Sequence, residues 1–279
     1  MKSINMLKRF IYTFCAGLLF ANGLIAQDSS KNVFTASVNY QSLLHYFGRV
    51  DSLKSSGIFP IIGFKSRSGL YVNTTLIFVK NSAINLNYAG TLLEGGYRLP
   101  DNKKITGNIY YSRFLYNSNT TLKQAAVKSQ AGINTIFNNK IINLNLNGDI
   151  KFSPNNTDFG IGAGLDKMIF FRNLIDKCVL AIDPSAYVNA GTQNFTNTIK
   201  NNGPLGLPGT TYSTEQYKQL SILSFELSMP IVLVRGKFNA YVSPSFVSPQ
   251  HLITVAGRPD LSESGQNAFY FSTGIGIRL

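Results

Sequence analysis

From residue 33 onward, apolar and polar residues alternate. Ile142, Leu144, Leu146, Gly148, Ile150 and Phe152 are separated by Asn143, Asn145, Asn147, Asp149 and Lys151. Successive side chains of a strand point to opposite faces, so each set lines one face. Ile84, Leu86 and Tyr88 alternate in the same way with Asn85 and Asn87. Leu223, Phe225, Leu227 and Met229 alternate with Ser224, Glu226 and Ser228. The last segment sets Phe269, Phe271, Thr273, Ile275, Ile277 and Leu279 against Tyr270, Ser272, Gly274, Gly276 and Arg278.

Twelve such segments run along the chain: 33–46, 57–66, 69–80, 83–98, 103–116, 121–138, 140–153, 158–172, 176–192, 216–234, 237–248 and 267–279. Most exceed the roughly 5–6 residues of a globular strand. They match the roughly 9–11 that cross a bilayer at a tilt, with some left over outside it. Connections alternate in length. Arg67-Ser68-Gly69, Leu99-Pro100-Asp101-Asn102, Asn138-Asn139-Lys140, Asn173-Leu174-Ile175-Asp176 and Arg235-Gly236-Lys237 are short and turn-rich. Phe47–Ser56, Asn117–Thr120, Ser153–Asp158, Gln193–Glu215 and Pro249–Gln266 fall on the other side, and several are long. Short turns opposite longer loops are the mark of an outer-membrane barrel. The pattern predicts an all-β fold: a closed antiparallel transmembrane β-barrel of about 12 strands (roughly 10–14), wound as an up-and-down meander. Pro184, Pro230 and Pro244 fall inside strands, where they should mark bulges or positions outside the hydrocarbon.

The first 26 residues read differently. Lys2, Lys8 and Arg9 precede an apolar run, Ile11–Phe20, that ends in Leu24-Ile25-Ala26. This is the layout of a secretory signal peptide, cleaved after Ala26, followed by a barrel domain over 27–279. Cleavage would take Cys15 away and leave Cys178 alone, so no internal disulfide could form. Only Phe10–Ala26 approaches the length of a membrane helix, which excludes a helical bundle. Composition fits a sheet against lipid: 44% hydrophobic, 14% charged, 20 Phe, 14 Tyr and no Trp. A soluble secreted β-sandwich is the alternative fold.

The terminal Ser272, Gly274, Ile277 and Leu279 resemble the C-terminal signal of bacterial outer-membrane barrels, although Leu279 replaces the usual aromatic residue. With the Ala26-Gln27 junction and the Asn-rich strands, the chain resembles an outer-membrane β-barrel protein of the Bacteroidota type. That resemblance implies insertion by the barrel assembly machinery and a place in the cell outer membrane.

Alternation assigns Asn85, Asn87, Asn108, Lys128, Asn143, Asn145, Asn147, Asp149, Asp166, Asp183, Asn189, Glu226 and Asn239 to the lumen. The expected function is a narrow porin-like channel for small polar solutes, slightly basic inside and weakly favouring anions. The alternative is a non-conducting barrel that docks a protein partner through loops 194–214 and 249–266. His45 and His251 should stand far apart, and neither adjoins a nucleophile, so no enzyme is expected. Neither is a metal site or a cofactor, since ligand residues are dispersed. Gly160, Gly162 and Gly164 read as strand glycines that admit bulky neighbours, with no dinucleotide loop. The net charge is +13, its basic residues are dispersed, and much of the basic charge lies near the short turns. There it should meet lipid phosphates of the membrane, with no nucleic acid involved.

Overall fold

The computed structural model describes residues 31–50, 53–100, 104–117, 127–154, 156–172, 177–193, 220–252 and 265–279. The expected leader 1–26, loop 194–214 and most of 249–266 lie outside the described residues.

Strand β1 is Val33–Gln41, β2 is Ser56–Lys65, β3 is Leu70–Lys80 and β4 is Asn87–Arg98. Then come β5 (Ile105–Tyr116), β6 (Ser129–Phe137) and β7 (Asn143–Phe152). The next three are interrupted. β8 covers Thr157–Asp166 and Ile169–Arg172, β9 covers Val179–Ile182 and Ser185–Gly191, and β10 covers Ser221–Ser228 and Ile231–Arg235. β11 (Phe238–Pro249) and β12 (Ala268–Arg278) complete the sheet.

The interruptions do not divide the strands, because pairing runs through each one in the same register. Asp166 faces Ser185, and beyond the break Ile169 faces Ile182. Ser185 faces Ser228, then Ile182 faces Ile231. Ser228 faces Ser245, then Ile231 faces Val242. The breaks in β9 and β10 fall at Pro184 and Pro230, which have no N–H to give. Their carbonyls still accept, from the amides of Lys167 and Asp183, and Pro244 accepts from Met229. Of the two expectations for these prolines, bulges or positions outside the hydrocarbon, the bulge is corrected: they remove donors and leave the register intact. Pro60 behaves similarly in β2, where the ladder to β3 passes from Ile58–Phe78 to Ile61–Thr75.

Each strand pairs antiparallel with its sequence neighbours, and β1 pairs with β12 from Thr35–Arg278 to Gln41–Ser272. The described residues thus form a closed 12-stranded barrel. The alternative β-sandwich is excluded, since this sheet closes on itself. Ile277 and Leu279 of the terminal motif fall on the outer-face parity with Phe34, and Ser272 and Gly274 fall on the inner-face parity. Among the described residues, Lys31, Asn32 and Leu279 share one end of the barrel with the turn Gly236-Lys237. The tightest turn, Gly236-Lys237, needs a positive φ of 57° at Gly236.

The outer wall is apolar around the circumference. Phe34, Ile62, Leu70, Ile109, Phe159, Phe225, Phe269 and Ile275 are all more than half exposed or close to it, at 47–82%. A soluble monomer rarely exposes a contiguous apolar patch beyond a few hundred Å². A transmembrane barrel requires one, so this barrel is built to cross a membrane.

Candidate functional site

The interior has two regions. At the long-loop end, Phe59 of β2, Ile77 and Val79 of β3, Ala89 and Leu92 of β4, Phe114 of β5, Val127 and Leu223 of β10 form a buried apolar cluster. What fills its centre is not a strand. The chain leaves β1 at Gln41, five residues before the sequence pattern ends it, and turns inward. Leu44, Tyr46 and Phe47 enter the cluster. His45–Tyr46 and Arg49–Val50 form a short antiparallel ladder across Phe47 and Gly48. Both turn residues have positive φ, 49° for Phe47 and 76° for Gly48. For Phe47 that is an uncommon conformation for a bulky side chain, held by its burial.

A buried arginine holds this hairpin in place. Arg49, only 2% exposed, donates to the carbonyls of Phe47 (3.2 Å), Leu223 (3.1 Å), Gln250 (2.9 Å) and His251 (3.4 Å). Its backbone also bridges Gly265. The hairpin is thereby tied to β10 and to the chain flanking β11. The return leg is fixed by Leu44 N–H donating to Ser55 O (2.7 Å) and Asn81 Nδ2 donating to Ser55 Oγ (3.1 Å). His45 packs edge-on against Tyr270 of β12, centroids 4.4 Å apart, and accepts from Gly48 N–H at Nδ1 (3.2 Å). Its buried Nε2 has no partner among the described residues, and burial lowers its pKa to about 4.

Below this plug the interior is polar, and much of it is bonded around the wall. Asn108 donates to Tyr71 Oη (2.8 Å), Asn134 to Asn108 (3.2 Å), Gln130 to Tyr110 Oη (2.9 Å) and Asn73 to Glu94 (3.3 Å). Asn143 (2.9 Å) and Asn145 both donate to Asp166, while Lys151 pairs with Asp149. Asn189 donates to Ser224 Oγ (3.1 Å), which itself donates to Glu226 (2.9 Å). One oxygen of Asp183 is buried without a partner among the described residues. Asn147 lies over Gly162, and Tyr187 lies over Gly164 so closely that a Cβ there would strike its ring. The Gly160–Gly164 run thus makes room for neighbouring side chains. Asn239 borders a recess of about 320 Å³ at the short-turn end, with Val33, Lys237 and Arg278.

Three lumen assignments from the sequence need correction. Asn85 lies before β4, exposed, accepting from the amide of Leu86 (3.1 Å). Asn87 is the first residue of β4, opposite Val79, and is exposed at the rim. Lys128 is also exposed. Its amide bonds Phe152 O (2.8 Å), although Ser129 is the residue paired with Phe152. Two residues opposite one make a bulge, which sends Val127 into the core and Lys128 outward. Simple alternation fails there by one residue. The expected distance between the histidines is corrected as well: both His45 and His251 are at the plugged mouth, joined through Arg49.

The plug was the feature hidden from periodicity. Its signal was the run Leu43-Leu44-His45-Tyr46-Phe47, too apolar for a solvent loop, followed by Gly48 and a lone arginine. The expectation of a slightly basic lumen does not hold along one wall. Asp158–Asp166, Ser185–Gly191 and Ser221–Ser228 carry no lysine or arginine, and they bring Asp158, Asp166 and Glu226 to one wall, with Asp183 just below.

No family model matches the chain, and no curated protein does. Solved structures do match. The KdgM porin aligns at TM-score 0.46 and 9% identity, covering 87% of this chain and 98% of that one. LpxR from Salmonella typhimurium aligns at 0.48 and 8%, covering 87% and 99%. The translocator domain of the autotransporter NalP from Neisseria meningitidis aligns at 0.46 and 14%, covering 95% and 94%.

Proposed function

We propose that the protein is a gated, narrow channel for small polar solutes in a bacterial outer membrane, with the hairpin 42–50 as the gate. The carrying observation is the contrast inside one barrel: a polar interior, sealed at the long-loop mouth by an apolar hairpin that belongs to no strand. A barrel of this size has an interior between a filled eight-stranded core and an open porin. A movable hairpin is then enough to close it. The acidic wall of β8–β10 gives the open form a preference for cations. The basic turns at the other end, among them Arg67, Lys104, Lys140 and Lys237, sit against lipid phosphates of the inner leaflet. That orientation follows the rule that short turns face the periplasm. The terminal Ser272–Leu279 motif supports insertion by the barrel assembly machinery.

Planar-bilayer recording of the refolded barrel tests this. The expected record is a mostly closed state with brief cation-preferring openings that lengthen when the hairpin is weakened. A barrel that stays silent with residues 43–50 replaced by a Gly/Ser linker is no channel. The sealed mouth also favours a second reading, a permanently closed barrel that docks an exported partner through 194–214 and 249–266. Silence in that experiment, with a partner crosslinked through those loops in native membranes, is its expected result.

A further inference from the structure

The outer wall carries a basic pair where lipid is expected. Arg113 is exposed on β5, on the outer face, between Tyr111 and Leu115, which are 48% and 45% exposed. It pairs across the sheet with Leu93 of β4, 40% exposed, and Ser129 of β6. Lys128 stands beside it: the amide of Phe114, next in sequence to Arg113, donates to Lys128 O at 2.9 Å. The bulge opposite Phe152 gives Lys128 its outward, exposed place. Without that extra residue the lysine would face the core, and Arg113 would be alone.

Neither cation has a carboxylate partner among the described residues. A cation on the lipid face is costly in hydrocarbon and tolerated toward the interface. Leu115 lies beyond Arg113 toward the long loops, so the arginine is still within the apolar wall. An anion that reaches such a place comes attached to a membrane lipid. Arginine suits it, since its planar fork matches two phosphate oxygens at once. Two neighbouring cations match a phosphate monoester, with close to two charges, better than a zwitterionic headgroup.

We infer that Arg113 and Lys128 form a binding site on the barrel's outer wall for the phosphate monoester of a lipid headgroup in the leaflet facing the long loops. The site rests on the membrane reading of the barrel and is independent of whether the barrel conducts.

Native mass spectrometry of the folded full-length protein in detergent tests it, with bis-phosphorylated lipid A as probe. Parallel arms use the same lipid with its phosphates removed, phosphatidylcholine, and inorganic phosphate as competitor. The expected result is one retained bis-phosphorylated lipid, bound about tenfold more weakly by the double variant Arg113→Gln, Lys128→Gln. Arg113→Lys keeps most of the binding. The variant Lys177→Gln, Lys237→Gln, altered at the opposite end, keeps the Arg113-dependent lipid. Equal retention by wild type and the Arg113/Lys128 variant overturns the site. So does equal retention of phosphorylated and dephosphorylated lipid by the wild type, a comparison that needs no variant to fold. Displacement by millimolar inorganic phosphate alone would show an ion site without lipid selectivity, and would also overturn it.

Discussion

The two halves of the barrel interior are built from the same strands and obey different rules. In the short-turn half, most inward positions are polar, Asn, Tyr, Ser, Asp and Glu among them, with Ala181 and Val232 as buried apolar exceptions, and outward positions are apolar, so the alternation is largely kept. In the long-loop half, Phe59, Ile77, Val79, Leu92 and Phe114 are apolar and face inward. On β2–β5 apolar residues there occupy both faces and the alternation is lost, whereas Gln130, Lys151, Asp158 and Ser224 stay polar on the opposite side. The difference teaches that a barrel mouth sealed by its own chain needs a soluble-style core, assembled from a loop, on top of a membrane-style wall.

The largest expected effect comes from breaking the clasp. Arg49→Ala removes a buried donor from four carbonyls, of which Leu223 O keeps the Gln250 amide. The closed mouth should lose at least about 3 kcal/mol. Trypsin cutting at Lys54 and the open fraction in bilayer recordings should both rise sharply. If neither changes, the apolar cluster closes the mouth without help and the two halves are less separable than they look.

The polar half can be tested by overpacking. Gly164→Val places a branched side chain where the Tyr187 ring lies, which should cost about 1–3 kcal/mol of barrel stability. Urea unfolding in micelles measures it. The plug contacts of 42–55 should be unaffected by proteolysis.

Acid should loosen the mouth. His45, in the connection outside the strands, has its pKa lowered from 6.5 to about 4 by burial. In the released hairpin it titrates at its ordinary value. The closed form therefore binds fewer protons than the open form between these values, and closure weakens as pH falls from about 6.5 toward 4. The full effect is on the order of 3 kcal/mol. Openings should become more frequent at pH 4.5 than at pH 7, and His45→Gln should flatten that dependence. An unchanged pH response in the variant would place the sensing group elsewhere.

The smallest expected effect is on selectivity. Asp166→Asn removes one carboxylate from the acidic wall and leaves the clasp alone. Reversal potentials in a salt gradient should shift by a few millivolts toward zero, a change appropriate to one partly screened charge.

Much of the wall was readable from residue order. Asn143, Asn145, Asn147 and Asp149 face inward because nothing interrupts β7, and period two holds from end to end. Twelve segments became twelve strands, even where hydrogen bonding is broken at Pro184 and Pro230. What escaped the pattern lies where backbone geometry departs from a regular ladder. Lys128 turns outward because of a bulge, which shifts parity by one and leaves no mark in composition. Asn87 keeps its parity but lies above the enclosed space. The plug escaped because its order comes from contacts between residues remote in sequence. Arg49 looks like any loop arginine until Leu223 and Gln250 are brought beside it.

That remoteness sets an order of assembly. Arg49 bonds Leu223 and Gln250 over sequence separations of 174 and 201. Its partners exist as neighbours only after β10 and β11 have joined the sheet, and contacts of such separation form late. An unfinished barrel therefore leaves the hairpin 42–50 loose and cleavable. Protection of this one segment becomes a stamp of completed insertion, readable in a pulse-chase before any function is assayed.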